Sequence, residues 1–432
     1  MLAISAAHAA VIRDTEIEHT IRDYASPLLT VAGVDVKNLG LHIIKDKAMN
    51  AFVTAGQNIY ITTGLLMEAQ HPGQIQGVLA HEIGHITGGH LARLRHAVSN
   101  RRKEAFVGQL IGVAIGLLGK NPSLTAATGL KTRDIALKKL HKFNRIQEQS
   151  ADQVAIKLLN RAQISARGLL EFLTLLEEQE LLVHARQDPY LVTHPLTRSR
   201  INFVQNQVDL SNISNKPINP ALVARHARML AKLKAFLNPP SQTLAEYSGE
   251  NEDTNARYAR AIALYRISRT NEAVAVIGNL ITQSPNNPYF HELKGQILFE
   301  SGKLTRALPS YEKAVRLKPT ASLLRVGLAH IQVELQTPSL NKSAIKNLIQ
   351  ALRYDRTIPL CWRLASIAYG RNDQLGMSAL MLAEYNVLTG RPADARRQAA
   401  KAIRTLLKNS PSWIRAQDIL HQNKKVRRSD AN

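Results

Sequence analysis

The chain has 432 residues, of which 45% are hydrophobic and 21% are charged. This is the composition of a folded protein with two domains, and it excludes a largely disordered chain. A single cysteine, Cys361, excludes a disulfide within the chain and a cysteine-based zinc knuckle. The net charge of +23 attracts anionic partners of many kinds, but no nucleic-acid-binding motif accompanies it and aromatic residues are only 5%. We therefore expect no specific nucleic acid partner.

Two segments bear on targeting. Residues 1–10 end in small residues, as a secretory signal peptide does before its cleavage site, but they lack a basic start and most of an apolar stretch. We interpret them as the remnant of a signal peptide, with a short apolar helix start as the alternative. Residues 106–119 are apolar but shorter than the roughly 18 to 20 residues that cross a bilayer. A buried helical hairpin and a peripheral contact with a membrane surface are the two expectations for that segment.

Predicted elements then follow in chain order. A helix is predicted over residues 14–29, and short alternating runs between residues 41 and 60 predict two or three strands. Apolar residues spaced three and four apart predict a helix over residues 73–95. Further helices are predicted around residues 105–119, 134–160 and 166–182. The turn-rich, polar residues 236–256 mark the expected domain boundary.

Beyond that boundary the sequence repeats itself. Three positions recur at an offset of 34 residues: Ala273 pairs with Ala307, Leu280 with Ala314, and Pro285 with Pro319. Ala344 and Ala351 continue the pattern at a slipped spacing, and Gly390, Ala395 and Ala402 match it once more. A period of 34 residues with small residues where helices cross is typical of tetratricopeptide repeats. The alternative is an irregular helical bundle, and both structures are all-α.

The main chemical motif is His81-Glu82-Ile83-Gly84-His85. On a helix, residues four apart lie on one face, so both imidazoles can bind one metal ion. Zinc favours such nitrogen ligands, and Glu82 beside the first histidine is placed to accept a proton from water.

A third ligand must come from elsewhere in the chain. The metzincin pattern requires a histidine at position 91, where this chain has Leu91, and His90 is one residue short. Glu148 is the better candidate, because it lies on a second predicted helix with Asp152 one turn further along the same face. A carboxylate in the position of Asp152 can accept the outer N–H of a ligand histidine and fix its tautomer.

These motifs occur in a specific order. H-E-x-x-H is followed by E-x-x-A-D, then by His194-Pro195 and Arg200-Ile201, and this order resembles the gluzincin peptidase family that includes the heat-shock protease HtpX and the CAAX prenyl protease. With repeats and no membrane span, the chain resembles the periplasmic BepA-type branch of that family. The resemblance implies a mainly α protein. It would have an α+β metalloprotease domain with a small sheet over residues 11–240 and an all-α tetratricopeptide-repeat domain over residues 257–422.

The resemblance also implies roles for individual residues. One zinc ion per chain would be bound by His81, His85 and Glu148, with Glu82 as the general base. Asp152 would orient a ligand histidine.

Two further residues have more than one implied role. His194 would stabilise the oxyanion of the tetrahedral intermediate, and in the BepA type the matching histidine can also occupy the fourth zinc position. Arg200 would anchor either the site or the oxyanion.

The expected function is that of a periplasmic zinc endopeptidase that hydrolyses misfolded or misassembled outer-membrane proteins. Its repeats would bind the outer-membrane assembly machinery, and the strand around residues 50–53 would receive substrate as an added strand. The alternative is a non-proteolytic assembly scaffold with a blocked metal site.

Overall fold

The structure is a computed structural model, and it describes residues 11–35, 39–54, 57–90, 130–182, 194–248 and 253–429. The chain divides into two compact units, residues 1–234 and 235–432. The predictions for residues 1–10 and 106–119 lie outside the described residues. In the part that is described, no helix is both long enough and apolar enough to cross a membrane. The domain limits 11–240 and 257–422 stay predictions.

Helix α1 (Thr15–Ala32) is the first described helix of the first unit, and its bounds are close to the predicted residues 14–29. It begins where it does because the Asp14 side chain accepts hydrogen bonds from the backbone N–H groups of Glu16 and Ile17. It ends at Gly33, whose φ of 67° is the left-handed conformation that glycine adopts most easily. The face of α1 that includes Ile17, Ile21, Tyr24 and Leu28 is buried in the core.

A small mixed sheet is formed by one strand that precedes α1 and three strands that follow it. Its strands are β1 (Val11–Ile12), β2 (Gly40–Ile44), β3 (Ala51–Thr54) and β4 (Asn58–Thr62). They are ordered β1-β2-β4-β3, with β2 parallel to β4 and β3 antiparallel to β4. Strand β3 is therefore at an end of the sheet, so its outer edge has no strand partner among the described residues. This placement agrees with the predicted edge strand.

The short helix α2 (Thr63–Glu68) follows strand β4 directly, and the buried helix α3 (Pro72–Thr87) comes next. Every residue of α3 from Pro72 to His85 is buried. Pro72 starts the helix, where its missing N–H costs nothing. The prediction that the helix continues to residue 95 was wrong, because the helix ends at Thr87 before Gly88 and Gly89, and Gly89 has a φ of 62°.

Four further helices are described in this unit; the first two pack against α3, and the third packs against the first two. They are α4 (Leu130–Arg161), α5 (Arg167–Leu182), α6 (Arg198–Leu210) and α7 (Pro220–Leu237). The buried Lys232 Nζ of α7 lies 2.7 Å from Asp14 Oδ2 and 3.5 Å from Glu16 Oε2, which ties α7 to the start of α1. The predicted turn-rich boundary contains one further helix, α8 (Pro240–Glu246), which begins at the second residue of the Pro239-Pro240 pair.

The second unit continues as a series of helices, each of which contacts the next. They are α9 (Thr254–Arg266), α10 (Thr270–Gln283), α11 (Pro288–Glu300), α12 (Leu304–Leu317), α13 (Ser322–Glu334), α14 (Pro338–Tyr354), α15 (Pro359–Gly370), α16 (Leu375–Leu388), α17 (Pro392–Thr405) and α18 (Pro411–Ser429). The repeating alanines predicted to lie where helices cross are all 0% exposed: Ala273, Ala307, Ala314, Ala344, Ala351, Ala395 and Ala402. Small residues at these positions let neighbouring helices pack closely. The predicted fold class is confirmed, with a small N-terminal sheet followed by repeat-like helices.

Candidate metal centre

Two packed helices, α3 and α4, bring the predicted metal ligands together. His81 and His85 lie one turn apart on α3, and Glu148 and Asp152 lie one turn apart on α4. Between the two pairs, Gly84 of α3 packs directly against Ala151 of α4. The histidine pair and the carboxylate pair therefore face one another at the point where the helices are closest.

The three predicted ligand side chains form a compact buried group. His81 Nε2 lies 3.1 Å from His85 Nε2. Glu148 approaches both rings, with Oε2 3.2 Å from His81 Nε2 and Oε1 3.2 Å from His85 Nε2. All three side chains are buried. Two imidazole nitrogens and one carboxylate oxygen that converge in this way are the donor set of a catalytic zinc site, so the residues present fit a zinc ion.

His194 belongs to the same group although it comes from a different part of the chain, just before α6. Its Nδ1 lies 3.2 Å from Glu148 Oε2 and 3.4 Å from His81 Nε2. One potential ligand atom from each of His81, His85, Glu148 and His194 can be chosen so that all four lie within 4.8 Å of one another. His194, which precedes a proline and was expected in a loop, is only 5% exposed. It can therefore serve as a fourth ligand.

Glu82 lies beside this cluster with an unusual environment. It is 0% exposed, and neither of its carboxylate oxygens has a hydrogen-bond partner within the described residues. Its Oε1 is 3.6 Å from His194 Nε2. Burial raises the pKa of Glu82, because the charged form loses its hydration. A buried carboxylate without a hydrogen-bond partner is suited to accept a proton from a molecule that enters the site.

Asp152 and Arg200 support the cluster from one side. Asp152 Oδ1 accepts a hydrogen bond from His81 Nδ1 at 2.9 Å. Arg200 donates from Nε to Asp152 Oδ2 at 2.7 Å and from Nη2 to Asp152 Oδ1 at 2.9 Å, and its Nη1 is 3.1 Å from Glu148 Oε2. Burial alone would raise the pKa of Asp152, but the Arg200 guanidinium outweighs it and holds the pKa below its usual range. The Arg200 guanidinium thus contacts the carboxylates of both Asp152 and Glu148.

The two histidines of the motif differ in charge preference. Burial lowers the pKa of His85 to about 3, so its ring is neutral and offers a lone pair. Burial also acts to lower the pKa of His81, but the hydrogen bonds with Asp152 and Glu148 dominate and raise it to about 10. These carboxylates favour a positive charge at the His81 ring, which a proton or a divalent cation can supply.

One residue of the site was missed by the sequence reasoning. Spacing rules consider His90 only as a metal ligand, and it is one residue short of the metzincin spacing. It is 2% exposed, and its Nδ1 lies 3.0 Å from Nδ1 of His85. The signal that was available is Gly88-Gly89, which ends α3 and turns the chain back toward that helix.

The fold and the buried histidine–glutamate cluster together define a metallopeptidase. Residues 12–208 match peptidase family M48, and residues 258–322 match the tetratricopeptide repeat family. The two matches support a metalloendopeptidase domain followed by tetratricopeptide repeats. The family implies a bound metal ion.

Curated relatives agree with this assignment. The chain is 24% identical over 374 residues to the β-barrel assembly-enhancing protease of Yersinia pestis, and the matched residues cover 85% of this chain and 76% of that protein. It is 24% identical over 329 residues to the protease of the same name from Escherichia coli K12, covering 76% of this chain and 67% of that protein. The mitochondrial metalloendopeptidase OMA1 of Bos taurus is 26% identical over 227 residues, which cover 50% of this chain and 41% of that protein. The predicted resemblance to BepA-type proteases is confirmed.

Among solved structures, the tetratricopeptide-repeat protein YrrB is similar to part of the chain. The TM-score is 0.34 at 15% sequence identity, and the match covers 40% of this chain and 89% of that one.

Proposed function

We propose that this protein is a zinc-dependent endopeptidase that hydrolyses peptide bonds of misfolded or misassembled outer-membrane proteins. The observation that carries the proposal is the convergence of His81, His85 and Glu148 beside a buried Glu82 that has no hydrogen-bond partner within the described residues. A zinc ion held by the three ligands would polarise the substrate carbonyl and acidify the attacking water. One zinc ion per chain would suffice.

Individual residues of the chain would then have separate roles in peptide hydrolysis. Glu82 accepts the proton of the attacking water and later delivers it to the leaving amine, and its raised pKa suits both steps. Asp152 accepts the hydrogen bond from His81 Nδ1, which would leave the Nε2 lone pair of His81 available to bind the zinc ion. Arg200 is a positioning residue, because its guanidinium contacts Asp152, Glu148 and the carbonyl oxygen of Pro195. These contacts favour the first of its two predicted roles, that of anchoring the site.

His194 would have opposite effects in two positions, of which this structure shows the first. In this structure His194 Nδ1 is 3.4 Å from His81 Nε2 and 3.2 Å from Glu148 Oε2, so its ring would act as a fourth ligand of a bound zinc ion and would compete with water. Turned away, the same ring can donate a hydrogen bond to the oxyanion of the tetrahedral intermediate. We propose that hydrolysis requires His194 to leave the first position.

Substrate recognition is proposed to use the outer edge of β3. An extended peptide that adds to this edge gains backbone hydrogen bonds with little demand on its sequence. That property suits a protease for unfolded chains. The relatives are named for β-barrel assembly, which supports a β-barrel protein as substrate. Such a substrate is consistent with the proposed outer-membrane target and periplasmic location, and the repeats would bind the assembly machinery. A peripheral membrane contact through residues 106–119 stays a prediction.

The test combines zinc content with a protease assay on an unfolded outer-membrane protein. We expect one zinc ion per wild-type chain and cleavage that a chelator abolishes. Glu82→Gln should retain the zinc but lose cleavage by a factor of about 100 or more, because the water has lost its base. Full activity of Glu82→Gln would refute the mechanism, and a wild-type chain that binds no zinc would refute the proposed function.

The alternative function is a non-proteolytic scaffold, supported by the position of His194 in the ligand cluster. His194→Ala separates the two functions. If His194 only restrains a competent site, this variant gains cleavage or changes its rate. If neither the wild type nor His194→Ala cleaves any unfolded substrate, the scaffold is the better description.

A further inference from the structure

We propose that His90 is a positioning residue that fixes the ring of His85 for metal binding. The inference rests on the proposed function, because it concerns the same zinc site. It assigns a role to a histidine that is not among the ligands and that lies on the side of His85 opposite to Glu148.

The two histidine ligands are held in the same way, each from both ends of its ring. The Nε2 atoms of His81 and His85 both face Glu148, at 3.2 Å each. The Nδ1 atom of His81 bonds to Asp152 Oδ1 at 2.9 Å, and the Nδ1 atom of His85 lies 3.0 Å from His90 Nδ1. His90 therefore occupies the position at His85 that Asp152 occupies at His81.

Backbone features place His90 there. Helix α3 ends at Thr87, and Gly89 in the left-handed conformation, at a φ of 62°, turns the chain so that residue 90 returns to the helix. A β-carbon at Gly88 would lie only 2.6 Å from His90 Nε2, so the ring fits against the helix end only because residue 88 has no side chain. The His90 carbonyl oxygen accepts a hydrogen bond from Gln147 Nε2 of α4 at 3.4 Å.

The hydrogen bond defines the tautomers of both rings. A histidine that binds a metal through Nε2 carries its proton on Nδ1. His85 then donates this proton to Nδ1 of His90, and His90 carries its own proton on Nε2. The rings meet at an interplanar angle of 83° with centroids 4.9 Å apart, which rules out a stacked contact as the reason for their approach. What His90 supplies is an acceptor at one fixed point.

The test compares two substitutions at residue 90. His90→Asn keeps an acceptor close to the position of Nδ1, and His90→Leu keeps the bulk but removes the acceptor. Zinc affinity, measured by competition with a chromogenic chelator, should fall by about 10- to 100-fold in His90→Leu and return to within a few-fold of the wild type in His90→Asn. In the zinc-bound wild type, ¹⁵N NMR should show the His90 proton on Nε2. Equal zinc affinity in all three proteins, or a His90 proton on Nδ1, would overturn the inference.

A matched control is another buried histidine of the first unit. His226 is 2% exposed and contacts the Tyr24 hydroxyl and the carbonyl oxygen of Ala69, not a ligand of the site. His226→Leu should lower the melting temperature without changing zinc affinity. If His226→Leu weakens zinc binding as much as His90→Leu does, the effect is one of general stability and the inference fails. If the wild type binds no zinc at all, the failure belongs to the proposed function.

Discussion

Gly84 and Ala151 are in contact at the crossing of α3 and α4, and a β-carbon on Gly84 would stand 2.8 Å from the Ala151 carbonyl oxygen. Gly84 lies between His81 and Glu82 on one side and His85 on the other, and Ala151 lies directly before Asp152. The small residues of both motifs therefore set the distance across which the histidines and Glu148 meet.

This contact predicts that Gly84→Ala weakens both fold and site. The added methyl group must push α4 away from α3, which should cost about 1 to 3 kcal/mol in the free energy of unfolding. Zinc affinity should fall with it, because Glu148 moves away with α4. Chemical denaturation and chelator competition measure the two effects. Gly278→Ala in α10 is the control, since a β-carbon there meets no atom within 4 Å, and it should stabilise the protein by about 0.4 to 1 kcal/mol. Equal stability of the two variants would contradict the prediction.

Arg200 should be far more important for stability than its neighbour Arg198. Arg200→Leu leaves the buried carboxylates of Asp152 and Glu148 without their shared guanidinium, which should cost about 3 to 5 kcal/mol. The Arg198 side chain is 74% exposed and pairs with Glu177 at 3.0 Å, so Arg198→Leu should cost less than about 1 kcal/mol. Urea unfolding of both variants makes the comparison. A cost for Arg200→Leu as small as that for Arg198→Leu would show that the guanidinium is dispensable.

The Thr62 hydroxyl should hold the edge strand in place. It accepts a hydrogen bond from the Asn50 backbone N–H at 2.9 Å and donates to the Ala48 carbonyl oxygen at 2.7 Å. Thr62→Val leaves these buried groups unpaired just before β3, at a cost of about 1 to 3 kcal/mol. Because β3 is the proposed substrate edge, KM should rise more than kcat falls. Thr62→Ser keeps the hydroxyl and should behave like the wild type. An unchanged KM in Thr62→Val would argue against substrate addition at this edge.

Zinc should stabilise the fold through its ligands. Since the ligands come together only in the folded chain, each tenfold increase in free zinc above the dissociation constant should add about 1.4 kcal/mol to the free energy of unfolding. The melting temperature should rise with zinc and fall when a chelator is added. Glu148→Ala should lose most of this response, and magnesium should not replace zinc. A melting temperature that does not depend on zinc in the wild type would exclude a site of useful affinity.

Much of the site could be predicted from the sequence because its residues occur in ordered local motifs. Helical spacing pairs His81 with His85 and Glu148 with Asp152, and the resemblance to a known peptidase family then links the two pairs. The repeats were predictable for a similar reason, since Ala273 and Ala307 are 34 residues apart and both lie buried. Period and motif are local properties that survive without a structure.

The rest depends on contacts between distant residues. Arg200 had two predicted roles, and only its contacts with Asp152 and Glu148 favour one of them. For His194 the resemblance implied two roles, and only its distances to His81 Nε2 and Glu148 Oε2 show that the ring lies within the ligand cluster. The role of His90 depends on a single left-handed glycine and on the packing of a ring against the end of α3, which spacing rules for metal ligands do not consider.

The cluster draws on segments that are far apart along the chain, for His194 follows His81 by 113 residues and Glu148 lies between them. In an extended polypeptide these groups are separate and hydrolytically inert. Acquisition of the native fold is thus a precondition for activity of the proposed enzyme, and an incompletely folded copy cannot hydrolyse other proteins. Denaturation separates the same residues and therefore ends the activity of the proposed enzyme, which limits self-digestion.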